Sequence, residues 1–278
     1  MDLTADRVSK PIIFAAEAMA EAKLFDFAGG SAVVFSTPRP ESDSNNQDSA
    51  GLIPASPNTG LVVVADGLGG SRAGDQASKA AIEAIQKVFK KDTERGDDLR
   101  TAILDGFEQA NAAVIDLGLG AGTTLAVVEI GEEYVRPYHV GDSLIMIVSN
   151  QGTIKFQNVA HSPVGYAVES GILDEKDALE HVERHVVSNV VGSPDMHIEV
   201  GPKISLAKRD TLVVASDGLS DNFTVDEIVE LVRKGPMDEA ASSIVKICSQ
   251  RMLGQANGNA PSKPDDLTFI AFRRNGSS

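Results

Sequence analysis

The chain has 278 residues, of which 42% are hydrophobic and 23% are charged, and its formal net charge is −15. This length fits one large domain or two small ones, and it is enough for a sizeable core. The strong negative charge argues against nucleic acid or an anionic membrane surface as the main partner.

The sequence also indicates a reducing compartment. A single cysteine, Cys248, excludes an internal disulfide. No apolar run approaches the length of a membrane span, and the acidic N-terminal segment, with Asp2, Asp6 and Glu17, makes a poor signal peptide. We therefore expect a cytoplasmic protein and, by default, a monomer.

The N-terminal part contains short apolar segments and one polar stretch. Residues 11–14 (PIIF) fit either a strand or a cover on the core. Residues 25–35 place apolar residues around Gly29-Gly30, which predicts an opening hairpin or a bulged strand. Residues 37–59 are rich in Ser, Pro and Asn, which predicts a loop.

Residues 61–70 (LVVVADGLGG) predict a strand that is buried on both sides and ends at Asp66. Taken alone, Asp-Gly after a strand favours a simple hairpin. The same scheme returns in residues 211–221 (TLVVASDGLSD), where an apolar strand again ends at Asp-Gly-Leu. The repetition favours a ligand site at the strand end over a simple hairpin.

Two helical stretches follow the first of these strands, and each has one apolar face. The faces contain Ile82, Ile85 and Phe89 in the first stretch and Ile103, Phe107, Ala110 and Val114 in the second. Residues 122–129, 134–140 and 144–148 are short apolar segments separated by turn residues, which predicts an antiparallel meander.

Residues 159–193 lack this alternation of short apolar segments and turn residues, and they contain one short helical piece at 175–180. A connection of this length is typical of a functional lid or of disorder. After the strand at 211–216, Thr224 and Glu227 form a capping-box pattern at the start of a helix. A further helix through Cys248 and a strand at 269–272 close the chain.

This order of elements predicts an α+β fold. Two antiparallel sheets that pack face to face, with a helix pair outside each, would bury all of the apolar segments. The result is a four-layer α-β-β-α sandwich in which the ends of distant strands meet at the edge between the sheets.

Acidic residues lie at the edges of four strands that are far apart in the sequence: Asp66, Asp142, Asp217, and the pair Asp265 and Asp266. If the strands lie side by side, these carboxylates converge and repel one another unless they are protonated or neutralised by cations. Oxygen ligands of this kind suit Mg²⁺ or Mn²⁺ and not zinc.

Five motifs occur in an order that resembles the metal-dependent type 2C Ser/Thr protein phosphatases, in particular the bacterial-type members. They are residues 65–70 (ADGLGG), 122–124 (GTT), 140–143 (VGDS), 216–221 (SDGLSD) and 265–268 (DDLT). The resemblance extends from about residue 46 to residue 272. It implies a single catalytic domain over residues 1–278, with a flap at about 159–197 beside a binuclear Mn²⁺ or Mg²⁺ centre.

The resemblance also implies roles for individual residues. Asp66 would bridge the two ions, and the carbonyl oxygen of Gly67 would bind one of them. Asp217 and Asp265 would be direct ligands, and Asp48 would act through water. These four aspartates are the implied catalytic residues.

Asp142 and Asp221, together with Asp217, would hold an additional ion. The implied reaction is hydrolysis of phosphoserine or phosphothreonine in a protein, by direct attack of a hydroxide that bridges the two ions. No covalent enzyme intermediate is required.

The sequence departs from the family in its phosphate-binding and acid-catalysis positions. Asp43 stands where many members have an arginine that holds the substrate phosphate. Arg39 and Arg72 are candidates to replace it, and both are equally credible as surface arginines. Leu68 stands where eukaryotic members often have a histidine that protonates the leaving group. For His139 and His161 we favour a structural role.

Other functions are less compatible with the sequence. A catalytically weak relative that binds phosphoproteins or regulates a partner is supported by Asp43, but the intact carboxylate set counts against it. A phosphatase with an Asp nucleophile would need an Asp-x-Asp motif and strict β-α alternation, and the sequence has neither. A generic acidic domain, in which Asp-Gly pairs are only turns, does not account for five ordered motifs.

Overall fold

A computed structural model describes residues 6–68, 73–118, 120–256 and 260–275. Within these ranges, fourteen strands form two sheets of seven strands each, together with seven helices. The strands are β1 (Asp6–Arg7), β2 (Ile12–Ala15), β3 (Lys23–Phe27), β4 (Gly30–Thr37), β5 (Asp48–Ser56), β6 (Thr59–Asp66), β7 (Leu125–Ile130), β8 (Tyr134–Val140), β9 (Leu144–Val148), β10 (Ile154–Gln157), β11 (Glu199–Val200), β12 (Ile204–Ser205), β13 (Thr211–Ala215) and β14 (Leu267–Arg274). The helices are α1 (Gly74–Arg95), α2 (Leu99–Leu117), α3 (Pro163–Glu169), α4 (Glu175–Ala178), α5 (Asp217–Ser220), α6 (Val225–Val232) and α7 (Met237–Met252).

The first sheet has the strand order β1-β3-β4-β14-β13-β9-β10. The second has the order β11-β8-β7-β6-β5-β2, and β12 also pairs with β8. Neighbouring strands are antiparallel, except that the short edge strand β1 runs parallel to β3. The predicted α+β fold with two antiparallel sheets is therefore confirmed apart from this edge.

The layers follow from the alternation of side chains along β6. Successive residues of a strand point to opposite faces of the sheet. Val62 and Val64 pack in the core shared with the first sheet, whereas Leu61, Val63 and Ala65 pack with the residues of α1 and α2. The second sheet therefore lies between the first sheet and this helix pair.

The predicted apolar faces of both helices are buried. Each of the following side chains is at most 1% exposed: Ile82, Ile85, Phe89, Ile103, Phe107, Ala110 and Val114. On the other side of the molecule, Ile228 of α6 and Ile244 of α7 pack in the core that includes the first sheet. The predicted capping box of α6 is present, with reciprocal hydrogen bonds between Thr224 and Glu227.

The prediction of a loop over residues 37–59 is wrong for its second half. Residues 48–56 form β5, which pairs with β6 along its length. The strand begins with small residues that have little intrinsic strand preference. Small size is needed here because Ile82 of α1 packs onto Gly51, where an added Cβ would lie 3.2 Å from the Ile82 side chain. Packing between layers, and not local preference, selects this strand.

The predicted meander is also only partly correct. β7 and β8 pair as a hairpin, but β9 leaves their sheet and pairs with β13 and β10 in the other one. The turn between β8 and β9 therefore crosses from one sheet to the other. Gly141 has a φ of +102° in this turn, a conformation that side-chain-bearing residues rarely adopt. The crossing brings Asp142 to the edge between the sheets.

Residues 159–193 contain α4 within the helical piece predicted at 175–180, and also α3, which was not predicted.

The predicted opening hairpin is formed by β3 and β4, and residues 12–15 form strand β2. In the part of the chain that the structure describes, none of the helices combines the length and apolar character needed to cross a membrane.

Removal of the Phe107 side chain tests the packing between α2 and the second sheet. Because this ring is fully buried, Phe107→Ala should lower the free energy of unfolding by about 3–5 kcal/mol. On the same helix Ile115 is 44% exposed, so Ile115→Ala should cost no more than about 0.5 kcal/mol. Urea denaturation followed by circular dichroism measures both. Equal losses in the two variants would contradict this packing.

Candidate metal centre

Four separate elements deliver carboxylates to one cleft at the edge between the sheets. Asp66 ends β6, and Asp142 lies in the turn that crosses between the sheets. Asp217 begins α5, one residue beyond the end of β13, and Asp265 precedes β14. All four line a cavity of about 220 Å³. The structure thus brings together the carboxylates that the sequence places at distant strand ends.

The Gly-Thr-Thr motif holds the end of β6 in place. The backbone N–H of Asp66 donates to the Thr124 hydroxyl at 2.9 Å, and the Asp66 carbonyl accepts from the Thr123 hydroxyl and the Thr124 N–H, both at 2.8 Å. A further bond of 2.7 Å links the hydroxyls of Thr124 and Ser143. The strand end is therefore fixed through its backbone, which leaves the Asp66 carboxylate free to face the cleft.

Gly67 lies where two backbone segments approach each other. An added Cβ would be 2.2 Å from the Gly74 carbonyl oxygen and 2.7 Å from that of Gln47. The Gly67 N–H donates to the Gln47 carbonyl at 3.2 Å. Only glycine fits this position without displacing the backbone, and the residue lines the same cleft as Asp66.

Asp48 lies behind the cleft. It pairs directly opposite Asp66 in the β5–β6 ladder, and its side chain is only 1% exposed. One of its carboxylate oxygens accepts a hydrogen bond of 2.7 Å from the Ser216 hydroxyl. This placement suits contact with a cation through water better than direct coordination.

The two adjacent aspartates before β14 have different surroundings. Both line the cleft, but the Asp266 carboxylate accepts hydrogen bonds from the backbone N–H groups of Arg39, at 2.8 Å, and Gln47, at 2.6 Å. Asp266 therefore ties the segment before β5 to the start of β14. The family resemblance assigned a role to Asp265 alone, and nothing in the sequence indicated these contacts of Asp266.

The cleft is electrostatically unfavourable without a cation. Burial raises the pKa of Asp48 and Asp66 well above the ordinary range, and repulsion between the carboxylates raises it further. Burial, followed by the charges of Asp217 and Asp221, raises the pKa of Asp142 to about 7. The pKa of Asp217 and Asp265 is also raised, chiefly by burial.

The donor atoms fit hard divalent cations. Apart from the His185 imidazole, the candidate donors in the cleft are oxygens, from carboxylates and from backbone carbonyls such as that of Gly67. Mg²⁺ and Mn²⁺ prefer such ligands, and positive charge would remove the repulsion that raises the carboxylate pKa values. The residues present therefore fit the implied cofactor.

Lys263 is a member of this cluster that the sequence analysis missed. Its ammonium nitrogen lies 2.6 Å from carboxylate oxygens of Asp217 and Asp221 and 3.1 Å from one of Asp265. Burial alone would lower the pKa of Lys263, but the three carboxylates, with Asp217 foremost, raise it above its usual value. A lysine two residues before a candidate ligand was the only sequence signal for this contact.

Of the two candidate phosphate-binding arginines, Arg39 and Arg72, the structure describes Arg39. The Arg39 side chain is exposed, and its backbone is held next to the cleft by Asp266. Asp43 is exposed in the same segment. Arg72 lies outside the described residues, as do Gly69 and Gly70.

A second group of potential ligands consists of His139, His161 and Glu199. The His139 Nε2 atom contacts the Val159 carbonyl at 2.9 Å, so it carries a proton. The His161 Nδ1 atom accepts from the Gly141 N–H at 3.1 Å, so its Nε2 is the donor towards Glu199. These ring atoms are engaged in the fold, which agrees with a structural role for both histidines.

His161 also joins the segment of residues 162–187 to the turn that carries Asp142. Its backbone N–H donates to the Gly141 carbonyl at 3.1 Å, and its own carbonyl accepts from the Ser188 N–H at 2.8 Å. The side-chain amide of Asn189 contacts His161 Nδ1 at 2.9 Å. The segment of residues 162–187 is therefore fastened at both ends to one residue.

Comparison with known proteins identifies a family for this arrangement. Residues 39–251 match the protein phosphatase 2C family. The serine/threonine phosphatase stp of Listeria welshimeri is 26% identical over 252 residues, which cover 87% of this chain and 95% of that protein.

Solved structures share the fold. The PPM Ser-Thr phosphatase MsPP of Mycobacterium smegmatis, in complex with cacodylate, is 25% identical with a TM-score of 0.71 over 88% of this chain and 98% of its own. The catalytic domain of the phosphatase PstP, in complex with two manganese ions, is 23% identical with a TM-score of 0.68, covering 88% of this chain and 98% of its own. At this level of identity, the second likeness concerns the fold alone.

The raised pKa of Asp142 predicts how pH affects the protein stripped of divalent cations by a chelator. Because the folded state holds the Asp142 proton up to about pH 7, while an unfolded Asp releases it near pH 4, this group stabilises the fold at low pH. That stability is lost as the pH rises through about 7. Asp142→Asn should therefore raise the Tm more at pH 8 than at pH 5.

Thermal melts followed by circular dichroism in the presence of the chelator measure this difference. The matched control is Asp105→Asn, which changes an exposed carboxylate on α2 and should give the same Tm shift at both pH values. A pH-independent shift for Asp142→Asn would show that its carboxylate is not repelled in the folded protein.

Proposed function

The chain belongs to the protein phosphatase 2C family and is a protein-serine/threonine phosphatase, and on this basis we propose that it hydrolyses phosphoserine and phosphothreonine in proteins with the help of Mn²⁺ or Mg²⁺. The observation that carries the proposal is the convergence of Asp66, Asp142, Asp217 and Asp265 on one cleft. A cluster of carboxylates this close together destabilises the fold unless cations bind between them.

We propose that Asp66 and the Gly67 carbonyl, with Asp217 and Asp265, hold two ions directly, and that Asp48 contributes through water. When bound, two such cations would offset the charge of the phosphoryl group and would lower the pKa of a water molecule, the nucleophile that direct hydrolysis needs. The buried hydrogen bond from the Ser216 hydroxyl keeps the Asp48 carboxylate oriented for this contact through water. The Thr124 hydroxyl keeps the backbone of Asp66 fixed, so that no reorganisation is needed during the reaction.

We propose that Arg39 contacts the substrate phosphate in place of the family arginine. The segment that carries it is tied to Asp266, next to the candidate ligand Asp265. An exposed guanidinium can form two parallel hydrogen bonds with phosphate oxygens. Asp43, in the same segment, is repelled by phosphate.

The phosphoprotein itself would lie along the flap, which we propose to extend over residues 159–197 of a single catalytic domain. A cavity of about 920 Å³ adjoins the cleft and shares His185 and Lys263 with it. Lys176 and Arg184 also line this cavity, and their charge complements a phosphorylated segment.

The cellular setting of the enzyme is also a proposal. The single cysteine, Cys248, is buried and free, which fits a reducing cytoplasm. We propose that the protein acts there in signalling as a monomer, on phosphorylated proteins and not on nucleic acid or membranes.

Hydrolysis of p-nitrophenyl phosphate tests the reaction class. Wild-type protein should hydrolyse it with Mn²⁺ present and not with a chelator. Asp217→Asn should lower kcat at least about a hundredfold, because it removes a charged group from the centre of the cluster. Asp105→Asn on α2 is the control and should retain full activity. A phosphorylated protein intermediate trapped from the wild type would contradict direct hydrolysis.

If folded wild-type protein binds Mn²⁺ but hydrolyses nothing, the alternative of a phosphoprotein-binding relative gains support. Activity that persists without divalent cations would contradict the metal-dependent mechanism altogether.

The role of Arg39 is tested by Arg39→Ala. If its guanidinium holds the phosphate in the ground state and the transition state alike, KM should rise about fivefold to tenfold with little change in kcat. Steady-state kinetics with p-nitrophenyl phosphate measure both constants. Arg209, another exposed arginine, provides the control, and its replacement by Ala should leave KM unchanged. An unchanged KM in Arg39→Ala would remove this residue from the site.

A further inference from the structure

The lysine among the carboxylates occupies a position that would otherwise suit a cation. The Lys263 ammonium is 2.6 Å from Asp217 and 2.6 Å from Asp221. These are two of the three residues that the family resemblance assigns to an additional ion, the third being Asp142. The lysine therefore takes up carboxylate oxygens that such an ion would need.

The backbone of Lys263 is fixed by a buried side chain. Its N–H donates to the Asn222 side-chain oxygen at 2.9 Å, and its carbonyl accepts from the Asn222 amide at 2.8 Å. Asn222 is fully buried and directly follows Asp221. The next residue, Pro264, restricts the backbone further. The ammonium is thus attached at a fixed point close to Asp221.

The side chain is well protected from solvent. The exposed fraction is 19% for Lys263, 20% for Asp217 and 13% for Asp221. Hydrogen bonds between charged groups are strong in such surroundings. Asp265 is more exposed, and its contact with the lysine is longer, at 3.1 Å. The lysine is therefore held most closely by Asp217 and Asp221.

We propose that Lys263 is a built-in cation that replaces the additional metal ion, so that this protein binds two divalent ions and excludes a third. The inference rests on the proposed two-ion centre. The ammonium neutralises part of the charge of Asp217 and Asp221 at every concentration of divalent ion. A dication placed among Asp142, Asp217 and Asp221 would also be repelled by the nearby ammonium.

The stoichiometry of Mn²⁺ binding tests this replacement without depending on activity. Protein stripped of metal is titrated with Mn²⁺ while electron paramagnetic resonance records the free ion. Wild type should bind two ions. Lys263→Ala should bind three, because the oxygens of Asp217 and Asp221 become available. The double variant Lys263→Ala with Asp221→Asn should return to two, since it loses a ligand of the third site.

Two further variants control for charge and folding. Lys246, on the exposed side of α7, is the matched lysine, and Lys246→Ala should bind two ions. Lys263→Arg keeps the positive charge and should also bind two. Circular dichroism confirms that each variant is folded, and Lys263→Ser takes the place of Lys263→Ala if the latter is unfolded.

The outcomes separate this inference from the proposed function. Two ions in both wild type and Lys263→Ala would overturn the replacement while leaving the two-ion centre intact, and a higher KM in that case would assign the lysine to the substrate phosphate. Three ions in wild type would also overturn it. No Mn²⁺ binding by folded wild type would overturn the two-ion centre, and the inference with it.

Discussion

Repulsion between buried carboxylates is the constraint on which the rest of the structure depends. The pKa values of the aspartates in the cleft are raised because burial and the neighbouring carboxylates disfavour the ionised form. A fold that keeps them together must supply the compensating free energy elsewhere. The two sheets supply it through a continuous apolar core that contains residues of both, and the hydrogen bonds of Thr124 supply the local order.

The same constraint explains why the candidate ligands come from four elements. A carboxylate at the end of a strand is carried by a backbone whose hydrogen bonds are already satisfied by its neighbours. Asp66 and Asp48 are fixed opposite each other by the β5–β6 ladder, and Asp217 follows β13, which pairs with β14. Each strand holds one carboxylate at the cleft. Lys263, in a short segment held by Asn222, neutralises part of their negative charge.

The sequence predicts those parts of the fold whose own residues determine their structure. The Val-rich strand β6 and the helix faces that contain Phe89 and Phe107 are recognisable because burial demands apolar residues at a fixed period. β5 is not recognisable, because Gly51 and its small neighbours are selected by the helix that packs on them. The turn at Gly141 is evident, but nothing local indicates that it crosses between sheets. Likewise, the contacts of Asp266 with Arg39 and Gln47, and those of Lys263, depend on residues far away in the sequence.

The attachment of residues 162–187 at His161 has a consequence for how the sequence of this segment can vary. The residue bonds to Gly141 on one side and to Ser188 on the other, so the segment between them leaves and returns at one point. Closing a longer or shorter loop between fixed ends costs little free energy. Insertions and deletions between residues 162 and 187 can therefore change the surface offered to a partner, while the turn that carries Asp142 stays in register. Recognition and chemistry are thus free to diverge at different rates in this architecture.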